Sequence, residues 1–198
     1  MANDAVDPAR RRLLAGTAGA LGGVGLAAAA VPFVSSMQPS AKTQAAGAPV
    51  EVDIGKLAPG ELMVVEWRRR PVWVLRRTQE ELENLAKVPL DELRDPESAQ
   101  SDQPGYAANE QRSIKPEYLV LLGVCTHLGC SPKYRPEVAA PDIGADWKGG
   151  FLCPCHGGRY DLAGRVFKGL PPPLNLPVPP YRYLSDTVLV IGEDQETV

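Results

Sequence analysis

Every cysteine and every histidine of the chain falls in one of two short segments. "CTHLGC" holds Cys125, His127 and Cys130, and "CPCH" holds Cys153, Cys155 and His156; the 198 residues contain four cysteines and two histidines in all. Cysteines serving as small buried hydrophobes would be scattered, so the clustering marks a site. Whatever the fold, it must bring the two segments together. The aliphatic run "EYLVLLGV" (117–124) and the stretch "GGFLCPC" each read as a strand that delivers the chain to its cysteine. Loops hung on strand ends are a rigid mounting for a site.

Cys125 and His127 stand at i and i+2, Cys153 and His156 at i and i+3, a spacing that a tight turn makes convergent. Cys130 and Cys155 remain, and in an oxidising compartment two surplus thiols are natural disulfide partners. Two cysteines with two histidines admit either zinc or an iron–sulfur cluster by donor type. The C-x-x-C and H-x3-5-H spacings usual for structural zinc are absent. The order C-x-H then C-x-x-H is that of a Rieske 2Fe-2S centre, with two cysteines on one iron and two histidines on the other.

The front of the chain has a different character. Arg10, Arg11 and Arg12 precede an uncharged run that lasts until Lys42. Its apolar part, residues 13–34, would rise about 33 Å as a helix, enough to cross a hydrocarbon core of about 30 Å. A cleaved signal peptide is the alternative, with a shorter apolar region and a small-residue cleavage site; the length favours an uncleaved anchor. The positive-inside rule keeps the arginines cytoplasmic and puts the remainder outside. Arginines ahead of a weakly hydrophobic Gly/Ala segment also look like a twin-arginine export signal. Residues 35–49, small and polar with no amphipathic period, read as a flexible hinge.

From residue 50 onward short strand-like runs appear: "VEVDI", then "LMVVEW" and "VWVLRR" around the polar break "RRRP", and "DTVLVIG" near the end. Glu66 with Arg68 to Arg70 reads as a solvated face. "TQEELENLA" is a helix, with Thr78 and Glu81 forming a capping box and Leu82 and Leu85 an apolar stripe. The acidic, Pro-punctuated segment "DELRDPESAQSDQPGYAANEQR" reads as a surface loop without chemistry. A formal net charge of −3, with no basic patch, gives no indication of nucleic-acid binding.

The boxes "CTHLGC" and "CPCHG" resemble those of the Rieske iron–sulfur subunit of the bacterial quinol–cytochrome c reductase, the cytochrome bc complex or respiratory complex III. The resemblance runs from the twin-arginine anchor through tether and β domain to the proline-rich loop. It implies a mainly β fold: an antiparallel β-sandwich Rieske domain with a small cluster-binding subdomain, one helix-loop insertion and a single N-terminal transmembrane helix. The domains become a cytoplasmic N-terminus (1–12), an anchor (13–34), a hinge (35–49) and a periplasmic Rieske domain (50–198), with cluster boxes at 125–130 and 153–158.

The resemblance further implies one 2Fe-2S cluster held by Cys125, His127, Cys153 and His156, and a Cys130–Cys155 disulfide. His156 would meet the quinol hydroxyl with His127 beside it, and Leu128 would make an apolar contact with the quinone pocket. Tyr160 would hydrogen-bond a ligand sulfur, and "GLPPPLNL" (169–176) would be the proline loop shielding the cluster. Relatives often read "CPCHGS", with a serine hydroxyl donating to a cluster sulfur; here Gly158 stands in that place, which implies a lower potential. The expected partners are cytochrome b, a c-type cytochrome and ubiquinol, with menaquinol an alternative, in a dimeric complex of the bacterial inner membrane. Two other readings remain at this point: the small Rieske subunit of a periplasmic oxidase such as arsenite oxidase, and a zinc-stabilised periplasmic binding module. A Rieske ferredoxin fits less well, since such relatives generally lack the extra cysteines and the anchor.

Overall fold

A computed structural model of the chain describes residues 7–194, so residues 1–6 of the expected cytoplasmic segment and 195–198 of the expected Rieske domain lie outside the described part. The chain divides into two compact units, Met1–Ala45 and Ala46–Val198. In the first, helix α1 spans Pro8–Ser36, about 43 Å at 1.5 Å per residue. Asp7 caps it by accepting a hydrogen bond from the Ala9 N–H (2.9 Å), and Pro8 occupies the first turn, where its missing donor costs nothing. The arginines are good helix formers, and so the helix starts ahead of them rather than at residue 13. The helix is long and apolar enough to cross a membrane.

The expected hinge is not wholly irregular. Helix α2 covers Ala41–Ala46, with the Ser40 hydroxyl accepting from the Thr43 N–H at 3.2 Å. Alanine, lysine and glutamine favour helix once a cap is supplied, which periodicity alone does not reveal in six residues.

The second unit contains three antiparallel three-stranded sheets. β1 (Val50–Asp53), β9 (Val188–Ile191) and β8 (Tyr181–Ser185) form one, and β2 (Leu62–Trp67), β3 (Arg70–Arg76) and β4 (Tyr118–Leu122) form another. A third and smaller sheet comprises β5 (Lys133–Arg135), β6 (Gly150–Cys153) and β7 (Gly158–Tyr160). β2 and β3 meet at a two-residue turn whose Arg68 and Arg69 both have positive φ (50° and 60°), the geometry that matches strand twist in a hairpin. The arginine run is solvent-exposed there, as a charge run should be.

One continuous core takes Val52, Leu189 and Ile191 from the first sheet and Ile54 just after it, Val72, Val74, Leu119 and Leu121 from the second, and Phe151 and Tyr160 from the third. Phe151 stacks on Trp73 at 5.1 Å between ring centroids, joining the third sheet to the second. β4 is buried at every position, which accounts for its unbroken aliphatic run. Gly123 follows it because a Cβ there would fall 2.2 Å from Trp73 Cε2.

Helix α3 (Gln79–Leu85) carries the expected capping box, with Thr78 and Glu81 bonding each other's backbone N–H. The outer oxygen of Glu81 also accepts from Tyr134 Oη, tying the helix to the third sheet. The segment after α3 is more than a surface loop: many of its residues are exposed, but Leu93, Asp95, Ser98, Ala107 and Arg112, with Ser113 after it, are buried. Most of its buried polar atoms are bonded internally, Arg112 Nη2 being an exception, which is why an acidic, Pro-rich composition tolerates burial here. Arg77, on the far side, donates to the carbonyls of Pro116, Gln111 and Leu162 and to Ser113 Oγ.

Candidate metal centre

β6 ends on Cys153 and β4 ends at Leu122, three residues ahead of Cys125, and the two boxes close in the same way. The Gly129 N–H donates to the Cys125 carbonyl and the Gly157 N–H to the Cys153 carbonyl, both at 3.0 Å. Both glycines have positive φ, +83° and +70°, a conformation that a side chain would disfavour. Each box is thus a single turn returning from cysteine to glycine, with a histidine inside it. The first is pinned further by the Cys125 N–H donating to the Cys130 carbonyl (2.7 Å).

Cys130 and Cys155 form a disulfide across the two boxes, leaving Cys125 and Cys153 as free, buried thiols. The sulfurs of Cys130, Cys153 and Cys155 lie within 4.8 Å of one another, but two of them are bonded together, so that trio is not a ligand set. His127 and His156 face each other edge to face with centroids 4.8 Å apart; His127 is half-buried and His156 exposed. Leu128 beside them is 71% exposed. With the surplus sulfurs removed by the disulfide, the boxes offer two thiolates on the protein side and two imidazoles on the solvent side. Such a set fits a 2Fe-2S centre with cysteines on the buried iron and histidines on the outer one.

Tyr160 is fully buried and its hydroxyl lies 3.2 Å from Cys125 Sγ, the contact implied by the resemblance. The same oxygen accepts from the Thr126 N–H (3.3 Å) and lies 3.2 Å from Thr126 Oγ1. Thr126 spends its own hydroxyl proton on the Leu174 carbonyl at 2.6 Å, so the Tyr160 proton is left for Thr126 Oγ1 or the sulfur. Burial first, and then the Cys125 sulfur, holds the Tyr160 hydroxyl protonated well above its ordinary range. Burial also pushes the Cys153 thiol up, an effect that coordination to a metal reverses.

Gly158 is buried and pairs with Cys153 across β6 and β7. A Cβ on it would meet Pro172 Cγ at 2.6 Å, so the proline loop occupies the space that a side chain at 158 would need. Thr126 contributes to the site without having been singled out from sequence, and the expected proline loop contributes through Pro172 and Asn175, whose individual roles the sequence did not show. Thr126 could have been noticed as a hydroxyl flanked by two expected ligands; nothing local marks Asn175.

The chain matches two family descriptions: "Ubiquitinol-cytochrome C reductase Fe-S subunit TAT signal" over residues 1–40 and "Rieske [2Fe-2S] domain" over residues 92–180. It is 55% identical over 195 residues to a ubiquinol–cytochrome c reductase iron–sulfur subunit of Allochromatium vinosum, covering 98% of this chain and 94% of that one. The corresponding protein of Bradyrhizobium diazoefficiens is 42% identical over 191 residues, with 96% and 98% covered. A mitochondrial cytochrome b-c1 complex Rieske subunit from Theropithecus gelada is 42% identical over 164 residues, 83% of this chain and 52% of that longer one. These matches, anchor included, favour neither the arsenite oxidase subunit nor the zinc module. The chain belongs to the family of ubiquinol–cytochrome c reductase iron–sulfur subunits.

Proposed function

We propose that Cys125 and Cys153 hold one iron and His127 and His156 the other, and that the exposed His156 receives quinol for a quinol–cytochrome c reductase. The observation that carries this is the separation of the six donors: a disulfide consumes two sulfurs, two thiols are buried, and two imidazoles face each other at the tip. The cluster, when bound, supplies a one-electron acceptor. The chain supplies the rest. His156 accepts the quinol hydroxyl proton on the ring nitrogen left free by coordination, so that charge stays balanced as the electron arrives. His127 stands beside it, and Leu128 offers an apolar contact to the pocket of cytochrome b. Tyr160 donates to the Cys125 sulfur, favouring the reduced state in which that sulfur is more negative.

The apolar helix and the matched export signal fit a membrane-anchored subunit. On this reading residues 1–12 are cytoplasmic, 13–34 lie within the bacterial inner membrane, 35–49 are the hinge, and residues 50–198 carry the electron in the periplasm from ubiquinol at cytochrome b to a c-type cytochrome within a dimeric complex. The test is reduction of the membrane fraction: a rhombic low-temperature EPR signal accompanied by b- and c-type haems supports the assignment, and a colourless, EPR-silent preparation containing zinc overturns it.

A further inference from the structure

The segment 92–102 is bonded to 166–178 at both its ends. The Lys168 N–H donates to the Glu92 carbonyl and the Arg94 N–H to the Val166 carbonyl; Arg94 Nη2 reaches the Leu170 carbonyl at 3.0 Å. Farther along, the Val178 N–H donates to the Asp102 carbonyl. Between these flanks lies a buried knot. Asn175, fully buried, accepts from the Val166 N–H (2.8 Å) and donates through Nδ2 to the Asp95 carbonyl (2.8 Å) and Ser98 Oγ (2.9 Å). Its own N–H donates to Ser101 Oγ, which in turn donates to Asp95 Oδ2 at 2.7 Å. The two Asp95 oxygens also accept the N–H groups of Ala99 and Gln100.

The proline loop ends in this knot. Leu174 is held by Thr126 and Leu176 by the Gly164 carbonyl, so Asn175 is the buried link that fastens the loop to the far segment, beside the exposed Arg94–Leu170 contact. Pro172, three residues upstream, is buried against Gly158 and the Cys153 strand. We propose that Asp95 is a positioning residue of the metal centre, acting through Ser101 and Asn175 to hold the proline loop 169–176 down over the Cys153 side of the cluster. Asp95 touches no ligand. Its carboxylate fixes a turn whose backbone and hydroxyls define the seat of Asn175, and a buried carboxylate accepting three hydrogen bonds is a stiff anchor. This rests on the ligand assignment proposed above.

The experiment uses the purified complex with Asp95→Asn and Ser101→Ala, and with Glu97→Gln, an exposed change in the same loop, as control. The cluster's visible absorption is followed while an iron chelator removes it, and hydrogen exchange is mapped in parallel. Both variants should keep the EPR signal, lose the cluster about tenfold faster, the factor carried by one buried hydrogen bond, and show faster exchange confined to 95–101 and 166–176. Glu97→Gln should behave as wild type. Wild-type release rates in both variants overturn the proposal, as does faster exchange spread over the whole domain or failure of both variants to assemble a cluster, since either marks a general folding role. Absence of a cluster from the wild-type complex would instead sink the ligand assignment itself.

Discussion

Gly158 and Pro172 occupy the same space: a Cβ on the glycine would lie 2.6 Å from the proline Cγ and 3.5 Å from Cys153 Cβ. The missing side chain is therefore not a void but the seat of the proline loop. Gly158→Ser should raise the reduction potential only weakly, because its hydroxyl competes with Pro172, and should destabilise the domain by the about 1–3 kcal/mol typical of overpacking. Adding Pro172→Ala makes room. Redox titration should then show a larger upward shift in the double variant than in Gly158→Ser alone; the reverse order would mean that crowding at this point is irrelevant.

Tyr160→Phe removes only the hydroxyl near Cys125 Sγ and leaves the ring in its buried slot. The reduction potential should fall. A differential of ~1 kcal/mol for one hydrogen bond corresponds to about 40 mV for one electron, read by EPR-monitored titration. An unchanged potential would assign the Tyr160 proton to Thr126 instead of the sulfur.

The disulfide joins boxes separated by 25 residues. Loop-closure entropy attributes about 3.5 kcal/mol to a crosslink of that span. Cys130→Ser with Cys155→Ser should lower the midpoint of denaturant unfolding and weaken cluster retention together, measured on the complex by absorption. Loss of stability with normal retention would show that the strap serves the fold alone.

Alkaline pH should unfold the head through its tyrosines. Burial holds Tyr106 up at about 12, and Tyr134, Tyr160, Tyr181 and Tyr183 are also raised, burial again being the first cause. Each has a folded value above its unfolded one near 10. The neutral form's stabilisation is thus complete below pH 10 and is lost as pH climbs from 10 through 12 and beyond. Spectrophotometric titration should find these five ionising with the unfolding transition; early ionisation in the native state would contradict their burial.

A proline run replacing residues 37–48 would abolish helix α2 and stiffen the hinge. Turnover with quinol should slow while the EPR signal stays intact. Full turnover would argue that the head need not move.

The strands, the capping box and the ligand spacing were legible in the sequence because each rests on local chemistry: alternation or aliphatic runs for β1 to β4, Thr78 with Glu81 for α3, and convergent donors for the boxes. The acidic segment after α3 was misread because composition reports average polarity, whereas Asp95 and Arg112 are buried, the Asp95 carbonyl and the Arg112 guanidinium having partners far along the chain. The proline loop was expected as a whole, but the seating of Pro172 on Gly158 and of Asn175 on Asp95 was hidden for the same reason. The start of α1 was missed because hydropathy ignores the Asp7 cap and Pro8, and α2 because six residues carry no period.

The Asp95–Asn175 knot also bears on the order in which the protein is made. Its hydrogen bond joins residues 80 apart in sequence, whereas the ligand boxes are bridged over 25. Closing the longer span costs more chain entropy, and it cannot happen until the last strands' approach has been synthesised. If the shorter span closes first, the proposed ligands stand together while the site is still open from one side, and fastening Asn175 is the step that encloses it.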